Sequence, residues 1–521
     1  MPTTISKIKL YNYKRFREYT FEPNARLNVL IGDNEVGKSS ILEAIDLVSS
    51  GSSHRIESIG IDRLLNIDSV NDFLHGPRSF QYLPKLMIEL YLSGQFDHTM
   101  NGKNNTDATE CDGIRLICEP NIDYSAEIAS ALLSDPNYFP YEYYSIRFST
   151  FADEGYSGYK KKIRTVTIDS SNIKSEYATN DFIHRMYHKY TNDNTSERVT
   201  HKAEYRKLKD YYANTILKEF NERIKADKAY EFRLRNQSFI EFENDLMIFD
   251  NNIGIDNKGT GRQVFIKTDF ALDKAGNNID VIMIEEPENH LSPINLRRLV
   301  QLIIDAQNGQ IFVTTHNNLI ITRLELNNLF ALFLTSETSP ITLRNLCDDT
   351  AKYFLKSPPA SVLEFVLSNK SFLVEGPSEY MLLERFYYSI RGCSPEDDGV
   401  YIINIRGLSF KRYLDISKLT KNKVAVITDN DYNYQKNCIE KYKDYTYDDN
   451  ISIFFDKDNN QHTFEVTLYN SNIDLCTKLF GSDAENYMLN NKTEAAYQLL
   501  SQKHAIHVPD YIKEAIDWIS E

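Results

Sequence analysis

The stretch Arg26 to Ile45, RLNVLIGDNEVGKSSILEAI, constrains this chain more than any other. It opens on a short apolar run, Leu27 to Ile31, passes through a glycine-bounded loop and ends in an amphipathic segment. That pattern predicts strand, tight turn and helix. The loop Gly32 to Ser39 fills every fixed position of G-x-x-x-x-G-K-[ST], and it does so between the strand and the helix that the motif requires. Backbone N–H groups of such a loop, and the positive end of the helix behind it, point at an anion. Gly32, Asn34, Gly37, Lys38, Ser39 and Ser40 are the expected phosphate cradle. Lys38 would neutralise β- and γ-phosphates, and Ser39 would hold Mg²⁺. The expected ligand is a nucleoside triphosphate.

At 521 residues the chain has room for two to four domains. Its 41% hydrophobic and 26% charged residues are those of an ordinary globular protein. No run approaches the length of a membrane span. The N-terminus, MPTTISKIKLYNYKRF, alternates like a strand and lacks the apolar core of a signal peptide. Six cysteines (Cys111, Cys118, Cys347, Cys393, Cys438, Cys476) are scattered without C-x-x-C, which predicts neither disulfides nor zinc. A cytoplasmic protein with no membrane partner is expected. The net charge of −15 argues against a generally basic nucleic-acid coat but leaves room for a local basic groove.

Ahead of the phosphate loop, residues 3 to 22 alternate apolar and polar and predict two strands. Residues 80–93, 114–120, 142–149 and 162–168 read as further strands, and the polar, Asn-rich stretch 95–112 as a surface loop. Residues 175–230 change character. Tyr205, Leu208, Tyr212, Ile216, Phe220 and Ile224 recur near helical spacing among many charges, which predicts inserted helices and a dimerisation arm. No heptad is sustained long enough for an extended coiled coil. Two basic clusters, Lys160 to Arg164 and Arg198 to Lys209, read first as solvated faces, with DNA contact the minority alternative.

Residues 281–293, VIMIEEPENHLSP, carry a buried parallel strand with two acids at its C-terminal end, where α/β sheets place their ligands. Glu285 would hold Mg²⁺, and Glu286 would orient and deprotonate the attacking water. The pattern resembles the Walker B and D-loop of the ABC/SMC/RecF class of ATPases. That resemblance implies ATP as the nucleotide and puts Glu288 and His290 in a D-loop that contacts the opposite subunit. It makes NKGTGRQ (257–263), with Gly261, the signature loop that caps the partner's γ-phosphate. It also places His316, at the end of QIFVTTHN, as the γ-phosphate switch. Arg15 either lines the nucleotide site, as its position in that class implies, or is a solvated strand charge. Walker A and Walker B stand about 250 residues apart, which fits an ABC-type head split by an insertion near 150–235 and excludes a compact GTPase.

The Pro-containing stretch LKSPPASVLEF (355–365) predicts a boundary between an ATPase domain, 1–350, and a second domain, 366–521. There, SFLVEG ends in Glu375 and Glu379 opens the next helix. VYIINIRG ends in Gly407, and KVAVITDND delivers Asp429 and Asp431. Two such strands side by side would bring four carboxylates to one sheet edge, where mutual repulsion calls for a hard divalent cation.

E-G-x-x-E, a middle glycine and D-x-D in this order resemble a TOPRIM domain. An ABC-type head followed by TOPRIM resembles the OLD (overcoming lysogenisation defect) nuclease family, an arrangement shared with Gabija nucleases and retron-associated OLD-like effectors. The expected fold class is α/β, an ABC-type P-loop ATPase with a helical insertion followed by a Rossmann-like TOPRIM domain. The resemblance adds Glu465 as a further metal acid and Lys492 as the lysine at the scissile phosphate. It places Arg406, Lys411 and Arg412 at the DNA backbone. It implies an ATP-gated endonuclease in antiphage defence, using Mg²⁺ or Mn²⁺ on phage or plasmid DNA. It further implies a homodimer or homotetramer through the heads, and a regulatory partner such as a retron reverse transcriptase with its DNA. A RecF-type DNA clamp without nuclease activity is the second reading. A topoisomerase is the third, since 34 tyrosines leave a nucleophile available.

Overall fold

The computed structural model describes residues 3–521 except 95, 136, 159–160, 170–182, 185, 189, 192–193, 226–229, 235–240, 273–278, 290, 307–308, 335–337, 357–360, 408 and 503–504. Its first strands are β1 (Thr4–Tyr13), β2 (Phe16–Phe21), β3 (Leu27–Ile31), β4 (Leu86–Ser93), β5 (Asn101–Gly102), β6 (Cys111–Pro120), β7 (Tyr144–Thr150) and β8 (Thr165–Asp169). A short hairpin, β9 (Phe249–Asp250) and β10 (Ile253–Gly254), precedes β11 (Val281–Glu285), β12 (Gln310–Thr314), β13 (Leu329–Ala331) and β14 (Ile341–Thr342). An antiparallel sheet runs β2-β1-β4-β6-β5, with β7 paired to β6. A second sheet runs β14-β13-β3-β12-β11-β8 and is parallel apart from β14. The mostly apolar, buried runs of β3, β11 and β12 suit strands covered on both faces.

The helix Lys38–Ser50 lies between these sheets. Its Ile41, Leu42, Ile45 and Val48 join one cluster with Ile8, Leu10, Ile88 and Leu116 of the first sheet and Met283, Phe312 and Phe330 of the second. Burying four aliphatic side chains contributes roughly 6–12 kcal/mol of transfer free energy. Gly51, with φ 56°, ends the helix in the left-handed region.

The C-terminal sheet holds β15 (Lys370–Val374), β16 (Val400–Asn404), β17 (Lys423–Ile427) and β18 (Ile451–Phe454), all parallel, in the order β16-β15-β17-β18. Alternate strand residues face opposite ways. Phe372, Val374, Ala425 and Ile427 pack under the helices Pro377–Arg391 and Asp510–Ser520. Leu373, Val424 and Val426 join a different cluster, which continues through Phe365, Val366 and Phe354 to Val29, Ile31, Ile282 and Val313 of the N-terminal parallel sheet. One core therefore runs from the phosphate-loop strand to the strand ending at Glu375.

One local expectation changes. Of the polar stretch 95–112, residues 96–112 are folded back on the first sheet: Glu89 is fully buried, and Thr106 donates to it from its backbone and hydroxyl while Asp107 pairs with Lys7 and Lys9. A buried carboxylate needs such partners, and the loop supplies them. The inserted segment does form helices, Thr195–Thr215 and Lys218–Lys225. Its apolar stripe is open within the chain: Leu208, Tyr212, Ile216 and Phe220 are exposed, and only Ala213 of the longer helix is buried.

Candidate functional site

The phosphate loop is shaped by two glycines that nothing larger can replace. Gly37 has φ 97°, and a Cβ there would lie 2.4 Å from Cζ of Phe16; one on Gly32 would lie 2.4 Å from the carbonyl oxygen of Leu332. Lys38 is buried, and its Nζ donates to the carbonyls of Gly32 and Asp33, both at 2.8 Å. Burial lowers its pKa, against the pull of Glu286, Asp33 and Glu285. Asn34 and Ser39 are exposed and Ser40 half-buried at the helix start. Of the two readings of Arg15, the geometry favours the loop: its guanidinium donates to the carbonyls of Glu35 (3.3 Å) and Leu334 (2.9 Å).

Glu285 ends β11 opposite Asp169 of β8 and Thr314 of β12. Burial raises its pKa, the Ser39 hydroxyl bonds to it, and Asp169 and Glu286 add repulsion. Asp169 escaped the sequence reading; strand 162–168 was legible, but its parallel pairing with β11 was not. Glu286 follows with a strained backbone, φ 43°. Its N–H donates to the Thr314 carbonyl (3.1 Å), and its Oε2 accepts from Asn289 (2.8 Å). Nε2 of His316 stands 3.5 Å from its Oε1. Lys38, Ser39, Glu285, Glu286 and His316 thus meet at the C-terminal edge of β3, β11 and β12.

Glu288 turns inward. Its Oε1 accepts from the Thr315 hydroxyl (2.8 Å) and the His316 N–H (2.6 Å), so within this chain it holds the backbone at the end of β12. His290 lies outside the described residues. Gly261 sits buried in the first turn of the helix Thr260–Leu272, which packs on the helix Pro293–Asp305.

At the second edge, β15 and β17 are neighbours, and they deliver Glu375 and Asp429 side by side. The Thr428 hydroxyl donates to Glu375 (2.8 Å), and the Phe464 N–H to Asp429 (2.8 Å). Glu379 is buried in the first turn of Pro377–Arg391; burial and the charges of Glu465 and Glu375 push it up to about 7. Burial, with Glu375, Glu379 and Glu465, raises Asp429 well above the carboxylate range. Glu465 is buried in the first turn of Phe464–Ser471 and pairs with Lys492, the first residue of Lys492–Leu500, at 2.9 Å. Four carboxylates face one ammonium.

Asp431 is the expected member that stays apart. It is exposed, because the chain turns through the left-handed region there (φ 47°) and its N–H bonds the His462 carbonyl. Among the described residues no three His, Cys, Asp or Glu side chains close around one point as a finished metal cage. The donor chemistry nonetheless fits a hard cation: oxygen ligands, buried, with uncompensated negative charge. Arg412 bonds the Thr350 hydroxyl (2.8 Å) and stacks on Tyr353, so it joins the two halves of the chain rather than facing a DNA backbone; Arg406 is exposed at φ 52°. Asn430 is a contributor that no motif marks: it is buried, and its Nδ2 donates to three carbonyls of the loop after β18.

Three family models match the chain. An AAA ATPase domain matches residues 4–232 and a second AAA domain residues 256–322, which together include the phosphate loop, Gly261, Glu285, Glu286 and His316. The TOPRIM domain of overcoming lysogenization defect protein-like sequences matches 366–431, which includes Glu375, Glu379, Asp429 and Asp431 but neither Glu465 nor Lys492. Curated relatives are DNA replication and repair proteins RecF. The one from Alkaliphilus oremlandii is 34% identical over 71 residues, 14% of this chain and 19% of that protein. The one from Clostridium tetani is 39% identical over 51 residues, 10% of this chain and 14% of that protein. The chain thus spans about a fifth or less of these relatives' lengths. Among solved structures, RecF with ATP covers 66% of this chain and 99% of its own at 12% identity and TM-score 0.35. An Smc head domain from Pyrococcus furiosus covers 66% and 97% at 14% identity and TM-score 0.31. Among the described residues no helix is long and apolar enough to cross a membrane.

Proposed function

We propose that this chain, an AAA ATPase head joined to an OLD-like TOPRIM domain, is an ATP-regulated, divalent-metal-dependent DNA endonuclease. The observation that carries this is the pairing of two acid-lined sheet edges through a single core, one edge beside a phosphate loop and the other with no phosphate loop at all. At the first edge Lys38 and the loop N–H groups would bind ATP, Ser39 and Glu285 would hold its cation, Glu286 would take the proton from water, and His316 would sense the γ-phosphate. At the second, Glu375, Glu379, Asp429 and Glu465 would hold Mg²⁺ or Mn²⁺, with Asp431 at the rim. Bound there, the cations supply a Lewis acid and a nucleophilic water for phosphodiester hydrolysis. Lys492, paired with Glu465, would stabilise the scissile phosphate.

A self-assembly through the heads and the exposed face of Thr195–Thr215 would complete the nucleotide site with Gly261 from a second copy. A cytoplasmic role in defence against phage, under a regulatory partner that restrains the nuclease, follows from the same reading. Supercoiled and linear DNA incubated with Mg²⁺ or Mn²⁺, with and without ATP, tests it. Metal-dependent cutting that disappears in Glu375→Ala, and whose ATP response disappears in Lys38→Ala, is the expected result. The RecF relatives favour one alternative, a DNA-binding repair ATPase that does not cut. ATP turnover with no cleavage under any metal would support that alternative.

A further inference from the structure

The loops that follow β17 and β18 are zipped together beside the carboxylates. The Nδ2 of Asn430 donates to the carbonyls of Asp456 (2.9 Å), Asp458 (2.9 Å) and Gln461 (3.1 Å). The Asp431 N–H donates to the His462 carbonyl (3.1 Å), and the Tyr434 N–H to Oδ1 of Asn459 (3.0 Å). On this frame the ring of Tyr432 lies flat against His462, with centroids 3.8 Å apart and planes 14° from parallel. The His462 ring is held in turn by an Nδ1 contact with the Asn460 carbonyl at 3.2 Å.

Three features of Tyr432 ask for a reason. Its backbone is left-handed, φ 66°, directly after Asp431 at φ 47°, a conformation that costs side-chain-bearing residues free energy and that Asn or Gly would adopt more readily. The residue is 66% exposed, so hydrophobic burial does not repay that cost. Asn430 and the Asp431–His462 bond already join the loops, so the ring is not needed to close them. What the ring adds is a rigid aromatic face open to solvent, one residue from Asp431 and three from Asp429. The edge it borders is strongly acidic and repels phosphates, so an attraction that does not depend on charge has a use there.

We propose that the outer face of Tyr432 stacks an unpaired nucleobase of the DNA strand offered to the carboxylates; this rests on the nuclease reading of that edge. Every base has a π-face, so the contact is indifferent to sequence. A paired base has both faces covered by its neighbours, so the contact selects DNA with a flap, gap, bulge or frayed end.

The test uses the full chain, Ca²⁺ in place of Mg²⁺, and a duplex carrying one unpaired 2-aminopurine beside the same duplex fully paired. Wild type is expected to quench the 2-aminopurine fluorescence and to bind the unpaired form about tenfold more tightly. Tyr432→Phe keeps both properties. Tyr432→Asn, which suits the left-handed backbone, loses both while its melting temperature stays near wild type, and Tyr432→Gly is the second ringless variant. Quenching and preference that survive in the ringless variants overturn the proposal, as does their absence from wild type. Binding is read apart from cutting. Cutting is assayed separately in Mg²⁺ and in Mn²⁺: a Tyr432-dependent quench in Ca²⁺ with no cleavage in either metal sinks the nuclease reading alone, and metal-dependent cleavage without a Tyr432-dependent quench sinks the platform alone.

Discussion

The ammonium of Lys492 sits 2.9 Å from Oε2 of Glu465, so the first residue of one helix neutralises a buried acid in the first turn of another. The same lysine lowers the pKa of Glu379, against burial and two neighbouring acids. It is the one cation found within the carboxylate cluster among the described residues.

Lys492→Met should therefore act on charge as well as on chemistry. Half the lysine side chain is exposed, so the stability loss should be modest, about 1–2 kcal/mol after solvent screening. DNA cutting should fall at least about tenfold, with Lys492→Arg partly restoring it. Thermal melts and single-turnover cleavage would check both, and full activity in Lys492→Met would remove the lysine from the mechanism.

Glu379 sets a pH dependence whose sign can be worked out. Its pKa rises from 4.5 unfolded to about 7 folded, so between these values the native state holds more protons than the unfolded state. Stability of the metal-free protein should then fall as pH rises from about 4.5 through 7, by on the order of 3 kcal/mol. Cation affinity should move the other way, since only the ionised carboxylate is a ligand. Melting temperature followed across pH 5–8, with and without Mg²⁺, measures this; the pH dependence should flatten in Glu379→Gln.

Glu286→Gln keeps the volume and the Asn289 contact but not the base. ATP should still bind, and hydrolysis should fall by about two orders of magnitude or more. Nucleotide binding by filter assay beside phosphate release separates the two steps.

Asn318 spans the two halves of the chain: its Nδ2 donates to the Glu364 carboxylate (3.0 Å), and its Oδ1 accepts from the Leu363 N–H (2.9 Å). It lies two residues after His316, and Glu364 sits in the helix Val362–Leu367 that leads into β15. In Asn318→Ala, ATP hydrolysis and basal cleavage should each persist while the effect of ATP on cleavage shrinks. An unchanged ATP response would place the coupling elsewhere.

Asn430→Ala would strip the donor from three carbonyls at once. The expected loss is roughly 2–4 kcal/mol, and the loop after β18 should become open to protease. Limited proteolysis that leaves residues 456–462 uncut would contradict this.

Much of this architecture is legible along the chain because the chemistry is local. Gly32 to Ser39 is a single turn, and VIMIEE and KVAVITDND each carry their acids at or just past the end of the strand that presents them, so strand, turn and ligand come together. The helical spacing from Tyr205 to Phe220 was legible as helices, but what its face meets was not: periodicity reports a face, and what lies opposite that face is decided by tertiary structure. The tied-down loop at 95–112 was missed because its anchor, Glu89, is recognisable only once β4 is known to be buried.

The sequence by itself determined which groups exist and the local turns that expose them: the phosphate loop, the paired acids after β11, and the acids after β15 and β17. Strand pairing decided which of those groups meet. It set Asp169 beside Glu285 and Glu375 beside Asp429, and it left Asp431 at the rim. It also ran one hydrophobic core from β3 to β15. Carboxylate repulsion and burial depend on distances of a few ångströms between residues far apart in the chain, and only the folded sheet brings those residues to such distances.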